Sequence, residues 1–210
     1  MSSRMNFTYW FFYTLAKVFA KVFFRFKVIH RERLPEQGGL ILAANHQSYF
    51  DPPLVGICSR RPVHYLARKS LMEWPVFGPL FPGMNVIPVD RDGNDMSALR
   101  TVIHKIKDGQ GVVLFPEGTR SPDGKLQPGR AGVGLVIAKT LAPVVPMRIF
   151  GSYEAFPRGS KGVKFHPIRV VVGEPIVFTK EDLADGDRAT YERLSQRVMD
   201  AISALTLDEK

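Results

Sequence analysis

Two polar segments of this chain carry side chains that could do acid–base and anion-binding chemistry. In the first, Asn45-His46-Gln47-Ser48-Tyr49-Phe50-Asp51, a histidine and a carboxylate lie five residues apart. Across one tight turn, the carboxylate of Asp51 can hold one ring nitrogen of His46 and raise the basicity of the other. Asp51 also precedes Pro52, which is typical of a helix start. Asp51 can cap the start of this helix and also hold the His46 ring, because its carboxylate has two oxygens.

The second segment, Phe115-Pro116-Glu117-Gly118-Thr119-Arg120-Ser121, has the composition of an anion-binding turn. A glycine beside a carboxylate and a guanidinium allows backbone N–H groups and a fork of charged donors to face a negatively charged ligand. The alternative is a polar surface turn with an ion pair between Glu117 and Arg120, and exposed pairs of this kind stabilise a fold little.

Both polar segments follow short apolar runs, residues 40–44 and 111–115, that are predicted to be strands without a polar face. Such strands are typical of a sheet that is covered on both sides. The other predicted strands are 26–30, 64–67, 85–89, 143–150 and 168–178, and the predicted helices are 51–58, 95–107, 130–141 and 188–204. The sequence therefore predicts one α/β domain with a mostly parallel central sheet covered by helices on both faces. Both polar segments would lie beyond the carboxyl ends of its strands, where sites of such sheets are found.

The composition restricts the classes to which the protein can belong. With 210 residues, of which 45% are apolar, the chain can bury enough surface to exclude intrinsic disorder as its main state. A single cysteine, Cys58, excludes a disulfide framework and a multi-thiolate metal site. The histidines outside the first segment lack metal-ligand spacing, so we expect neither a metal nor another cofactor; they are His30, His64, His104 and His166.

The formal net charge of +9 is concentrated near the N-terminus, where residues 1–70 contain eleven basic and three acidic side chains. This excess lies beside the most aromatic part of the chain, residues 5–29. Basic residues among large apolar neighbours favour an anionic membrane surface, and we expect no nucleic-acid partner.

Residues 5–25 are predicted to form an amphipathic helix, with Lys17, Lys21 and Arg25 on one stripe and large apolar side chains over most of the remainder. In a spanning helix, each lysine would lie near the bilayer centre at a cost of roughly 2.5–3.5 kcal/mol. We therefore expect the helix to lie in the membrane interface, with Trp10 and the three basic side chains contacting lipid. The alternative is a helix packed entirely on the core of the domain.

Taken together, the two polar segments resemble the motifs of the glycerolipid acyltransferase family, which includes the 1-acylglycerol-3-phosphate acyltransferases. The order NHQSYFD, IPVDR and FPEGTRS, followed by a Val/Pro-rich strand, is similar to that family from about residue 34 to residue 178. The resemblance implies acyl transfer from acyl-CoA or acyl carrier protein to the hydroxyl of lysophosphatidate, giving phosphatidate. The alternatives are another acceptor, such as glycerol 3-phosphate, another lysophospholipid or an amino-acid lipid, and a non-catalytic module that binds anionic lipid.

The resemblance also implies a role for each matching residue. His46 would be the general base on the acceptor hydroxyl, with Asp51 as its orienting partner. The acceptor-binding group, with its arginines on the phosphate, would comprise Arg91, Glu117, Gly118, Thr119, Arg120 and Arg130. Arg130 stands where the family often has a lysine.

The residues themselves favour direct attack by the acceptor hydroxyl. There is no GxSxG elbow, and neither Ser48 nor Cys58 stands in a recognisable nucleophile context. We therefore expect a ternary-complex mechanism without an acyl-enzyme.

On this interpretation, residues 1–29 form the membrane-interface helical segment and residues 30–210 the acyltransferase catalytic domain. By resemblance to the shorter members of the family, we expect association with the cytoplasmic face of a bacterial inner membrane.

Overall fold

A seven-stranded sheet forms the centre of the computed structural model, which describes residues 6–75, 78–90, 96–183 and 186–207. The strands are β1 (Lys27–Ile29), β2 (Leu40–Ala44), β3 (Val63–Arg68), β4 (Val86–Val89), β5 (Gly111–Leu114), β6 (Val144–Phe150) and β7 (Arg169–Val172). Their order across the sheet is β1-β7-β6-β2-β5-β3-β4. All neighbouring pairs are parallel except β6 and β7, so β1 and β7 run opposite to the other strands. The prediction of a mostly parallel sheet is confirmed.

Helices cover both faces of this sheet. They are α1 (Phe7–Phe24), α2 (Asp51–Cys58), α3 (Met96–Lys107), α4 (Ala131–Thr140), α5 (Ser152–Ala155) and α6 (Arg188–Ala204). Short 3-10 turns occupy Arg31–Arg33, Lys69–Glu73, Gly78–Met84 and Glu181–Leu183.

The strand β2 shows why the fold needs two helical layers. Leu40, Leu42 and Ala44 pack into the core on the side of α1 and α2, whereas Ile41 and Ala43 pack on the side of α3, α4 and α6. Alternate residues of a strand point to opposite faces of the sheet. Because helices cover both faces, all five side chains are buried. The expectation from its unbroken apolar sequence is confirmed.

The predicted strand 168–178 is wrong in its second half. The strand β7 ends at Val172, because the chain turns at Gly173-Glu174-Pro175 and proline cannot donate to a sheet ladder. A Cβ on Gly173 would lie 2.9 Å from the ring of Pro146, so only glycine fits this turn closely. Beyond it, Ile176 makes an isolated bridge to Val144.

The helix α1 is held on the domain by one narrow buried face. Asn6 caps its first turn by accepting a 2.7 Å hydrogen bond from the Tyr9 N–H, and Tyr9, Ala20 and Phe24 are buried. The hydroxyl of Tyr9 accepts a 3.0 Å hydrogen bond from the N–H of Val63, at the start of β3. These contacts fix the helix along the sheet rather than leaving it as a tether.

The opposite face of α1 is apolar and exposed. Its exposed apolar side chains are Phe7, Trp10, Phe11, Leu15, Val18, Phe19, Val22 and Phe23. The alternative of a helix packed entirely on the core is therefore wrong. In the described part of the chain, no helix has both the length and the apolar character needed to cross a bilayer.

The first strand follows α1 directly. Residues 27–29, which the sequence assigns to the N-terminal segment, form β1 and pair with β7 at one edge of the sheet. The chain enters this strand through Arg25, whose left-handed backbone (φ 46°) ends the helix.

Candidate active site

The polar segment after β2 is fixed to the neighbouring strand β6 by Asn45. Its amide donates a 3.1 Å hydrogen bond to the carbonyl of Ile149, and its side-chain oxygen accepts a 2.7 Å bond from the N–H of the same residue. Because Asn45 is buried, this paired contact sets where the chain leaves the sheet. His46 follows immediately and is therefore held at the carboxyl edge of β2.

Asp51 is the centre of the hydrogen bonding around this loop. Its Oδ2 accepts bonds of 2.9 Å from the Nδ1 of His46 and of 2.6 Å from the N–H groups of both Gln47 and Ser48. Its Oδ1 accepts a 2.7 Å bond from the hydroxyl of Ser152, the first residue of α5. The side chain is fully buried, so these donors replace the water that an ionised carboxylate would otherwise need.

This arrangement fixes both the tautomer and the plane of the His46 ring. Since the Asp51 carboxylate accepts, Nδ1 carries the proton and Nε2 is left as the basic atom. The ring stacks on Phe115, with centroids 4.0 Å apart and planes 18° apart, and its side chain is 12% exposed. A fixed, nearly desolvated imidazole with one basic nitrogen is suited to general-base chemistry.

Glu117 ties the second polar segment to the first. Its Oε1 accepts a 2.8 Å hydrogen bond from the N–H of His46, and its Oε2 accepts a 3.2 Å bond from the N–H of Gln127. Burial raises the pKa of this carboxyl to about 7, aided by the negative charge of Asp51 and opposed by the two N–H donors. The family resemblance implies acceptor contact for Glu117; in the structure both of its oxygens accept hydrogen bonds from backbone N–H groups.

Gly118 and Arg130 lie against each other beside this carboxyl. Gly118 has φ +69°, a left-handed conformation that favours glycine, and a Cβ there would lie 3.0 Å from Cδ of Arg130. The N–H of Arg130 donates a 2.9 Å bond to the carbonyl of Pro116, just before α4 begins. The two predicted residues are thus neighbours in space.

Arg120 presents its guanidinium next to the first segment. Its guanidinium carbon lies 3.5 Å from the ring centroid of Tyr49, in cation–π geometry. One nitrogen, Nη1, is buried and has no hydrogen-bond partner within the described residues. Ser121, the next residue, donates a 2.7 Å bond from its N–H to the carbonyl of His46, which keeps Arg120 near His46.

The structure thus brings together most of the predicted site residues. His46, Asp51, Glu117 and Arg120 are linked through the contacts above, Gly118 and Arg130 adjoin Glu117, and Thr119 is half-buried in the same turn. Arg91 lies outside the described residues. The predicted lipid-contacting residues form a separate group on or next to α1; they are Trp10, Lys17, Lys21 and Arg25, and all four are exposed.

The sequence did not predict three contacts that support this site. Ser152 completes the set of donors to Asp51, Tyr49 supports the Arg120 guanidinium, and Phe115 supports the His46 ring. The available signal for Ser152 was its place in Gly151-Ser152, directly after the apolar run 143–150 and therefore at the same sheet edge.

Comparison with known proteins gives consistent results. A protein-family model described as Acyltransferase matches residues 25–150. A chloroplastic 1-acyl-sn-glycerol-3-phosphate acyltransferase of Brassica napus, BAT2, is 31% identical over 82% of this chain and 52% of its own length. The 1-acyl-sn-glycerol-3-phosphate acyltransferase of Bacillus subtilis is 29% identical over 82% of this chain and 85% of its own.

A solved structure shares the fold. The crystal structure of the 1-acyl-sn-glycerophosphate acyltransferase PlsC from Thermotoga maritima superposes with a TM-score of 0.73 at 29% identity, covering 92% of this chain and 79% of that one. The chain spans about half the length of the plant relatives that it matches, 52% and 51% of the Brassica and Arabidopsis proteins.

Proposed function

The chain belongs to the acyltransferase family, and from this we propose that it transfers a fatty acyl group from a thioester to the free hydroxyl of 1-acylglycerol 3-phosphate. The product is phosphatidate. The acceptor is inferred from the names of relatives in Brassica, Bacillus and Thermotoga. The observation that carries the chemistry is the His46 ring, held through Nδ1 by a fully buried Asp51.

In the proposed reaction, Nε2 of His46 takes the proton of the acceptor hydroxyl while that oxygen attacks the thioester carbonyl carbon. The tetrahedral intermediate then collapses, the C–S bond breaks, and the leaving thiolate takes the proton from the imidazolium. Asp51 keeps its charge throughout and stabilises the imidazolium through Nδ1. A base of this kind contributes ~10²–10⁴-fold, with positioning of the two substrates contributing much of the remainder.

The environments of the two candidate nucleophiles support direct attack. Ser48 is fully buried, and its hydroxyl donates a 2.7 Å bond to the carbonyl of Phe156. Cys58 is fully buried in α2, and burial strongly raises the pKa of its thiol. Neither group is placed or ionised for attack on a thioester.

The acceptor phosphate is assigned to the arginines. Arg120 offers its Nη1, which has no hydrogen-bond partner within the described residues, and Arg130 lies over Gly118. Arg91 is included because it ends the IPVDR motif. Glu117 is assigned a positioning role in place of acceptor contact, because its oxygens hold the backbone of the His46 loop.

The donor is proposed to be acyl-CoA or acyl carrier protein, and the working surface an anionic membrane. Trp10, Lys17, Lys21 and Arg25 would contact lipid as α1 lies in the interface. We place this surface on the cytoplasmic side of a bacterial inner membrane.

The deciding experiment measures free thiol release from acyl-CoA, and acyl transfer from acyl carrier protein, against a panel of acceptors. Wild-type protein should prefer lysophosphatidate over glycerol 3-phosphate and head-group lysolipids. The H46A variant should lose ~10²–10⁴-fold in kcat while it still folds and binds vesicles.

The matched control is H104A, which changes an exposed histidine on α3 whose partner is Asp108. It should be as active as wild type. Equal activity of H46A and H104A would refute the base assignment, and a stable acyl adduct on Ser48 or Cys58 would refute direct attack.

A further inference from the structure

The connection between α5 and β7 lies next to α1 although more than a hundred residues separate them in sequence. Within it, Phe165 is 69% exposed and Val163 is 41% exposed. The Phe165 ring stacks on Phe23 of α1 with centroids 5.3 Å apart. The exposed apolar face of α1 therefore continues onto this connection. Most of the connection, residues 156–166, forms one loop, the 156–166 loop.

The loop is basic as well as apolar. It contains Arg158, Lys161 and Lys164, and residues 155–173 contain no acidic side chain. Lys161 and Lys164 are exposed on either side of Val163. Positive charge around exposed apolar side chains complements a surface of anionic lipid headgroups.

The base of the loop is part of the active site. The carbonyl of Phe156 accepts the Ser48 hydroxyl, and the Phe156 ring packs on Tyr49 and Phe50 with centroids 5.3 and 5.1 Å away. The strand β6 runs parallel to β2, and β7 runs antiparallel to β6. The loop that connects them therefore lies at the carboxyl end of β2, where the His46 segment begins.

The loop is also held in shape. The N–H of Lys164 donates a 2.8 Å bond to the carbonyl of Ala155, and the hydroxyl of Ser160 donates a 2.6 Å bond to the carbonyl of Gly162. The loop therefore has a defined conformation, and the Phe23–Phe165 contact positions it against α1.

We propose that the 156–166 loop is a second membrane-contacting element, which inserts Phe165 and Val163 among the headgroups of an anionic bilayer. Lys161 and Lys164 contact lipid phosphates on either side. With α1 it places the bilayer beside Tyr49 and Arg120, where an acceptor drawn from the membrane would bind. This last consequence rests on the proposed function, whereas the bilayer contact does not.

The test uses an environment-sensitive fluorophore attached to the F165C variant of the full chain. Cys58 is fully buried and remains unlabelled in the folded protein. Vesicles of phosphatidylcholine mixed with phosphatidylglycerol should shift the emission to the blue and increase it, and vesicles of phosphatidylcholine alone should do so less. The matched control is V177C, because Val177 is 66% exposed and lies beside Phe178 in the core on the other sheet face. Its label should not respond.

Charge is tested separately with the double variant K161Q/K164Q in vesicle sedimentation. We expect binding to phosphatidylglycerol vesicles to weaken about fivefold for each lysine. The control is K107Q, at the end of α3 on the other face of the sheet, which should bind as wild type does.

The outcomes separate the two proposals. If a label at V18C on α1 enters the bilayer while the label at F165C stays in water, the loop proposal is overturned and the helix alone binds membranes. If the F165C label enters the bilayer and the wild-type protein transfers no acyl group, the loop proposal stands and the proposed function fails.

Discussion

The hydroxyl of Ser152 is the only donor to Oδ1 of Asp51 among the described residues, so S152A tests how this carboxylate is held. The variant leaves one oxygen of a fully buried charged group without a hydrogen bond. A hydrogen bond to a charged group contributes about 1.5–3 kcal/mol, and we expect the free energy of unfolding to fall by that amount. For a chain of this length, each kcal/mol lowers Tm by about 2–4 °C.

The effect of S152A on catalysis should be smaller than complete loss. Oδ2 keeps its bonds from His46, Gln47 and Ser48, so the ring remains held while the carboxylate gains freedom to rotate. We expect kcat/KM to fall about tenfold, equivalent to ~1.4 kcal/mol of transition-state stabilisation. The assays are urea unfolding and thiol release from acyl-CoA with lysophosphatidate.

The matched control for S152A is S59A. Ser59 is also buried, but its hydroxyl bonds only neutral backbone groups of Arg61, beyond the far end of α2: it donates a 2.8 Å bond to the carbonyl and accepts a 3.1 Å bond from the N–H. Its loss should lower the free energy of unfolding by about 0.5–1.5 kcal/mol and leave kcat/KM unchanged. Two results would contradict this reasoning: an S152A protein as stable as S59A, or an S152A protein as active as wild type. Either would mean that the Ser152 hydroxyl does not hold Asp51 in place.

Two further predictions concern buried polar groups. The pKa of Glu117 is about 7 in the folded protein against an ordinary value of 4.5, so the folded state binds its proton more tightly and stability should fall as pH rises from about 4.5 to 7. Urea unfolding of E117Q at pH 4.5 and pH 7 should show a smaller loss of stability between the two pH values than wild type shows. An equal loss in both proteins would contradict the raised pKa of Glu117. Y9F should lower the free energy of unfolding by about 1–3 kcal/mol, because the N–H of Val63 loses its acceptor. The control is Y153F, which removes a hydroxyl whose 3.2 Å bond to the carbonyl of Pro122 is exposed to solvent; it should change the free energy of unfolding by less than about 0.5 kcal/mol.

The sequence was sufficient to predict the elements that carry the site. The apolar runs that became β2 and β5 identified a sheet covered on both faces, and Asp51-Pro52 identified the start of α2 within the chain. His46 and Asp51 are close in sequence, so their hydrogen bond could be predicted from local geometry alone.

The contacts made across the sheet could not be predicted in this way. Ser152 reaches Asp51 because β6 lies beside β2, and a strand order of this kind is fixed by packing of the whole domain. The family resemblance implied acceptor contact for Glu117, and nothing in the local sequence predicted that its carboxyl would be buried. Its burial depends on the N–H groups of His46 and Gln127 that happen to face it.

The side of α1 that packs on the domain also could not be predicted from the sequence. The spacing of Lys17 and Lys21 placed them on one stripe of the helix, and both are exposed. Which apolar side chains would cover the sheet could not be read from a helix that is apolar over most of its surface. The domain selects Tyr9, Ala20 and Phe24 because these follow one another along one side of the helix.

The buried side of α1 has a practical consequence for producing the protein. Deleting α1 would uncover the core beneath Ala20 and Phe24 and make the protein prone to aggregation. Polar replacements on the outer side, at Phe11, Val18 and Val22, would reduce the apolar surface while keeping the helix in place. The apolar surface of this chain should therefore be reduced by redesigning the outer side of α1 and not by shortening the chain.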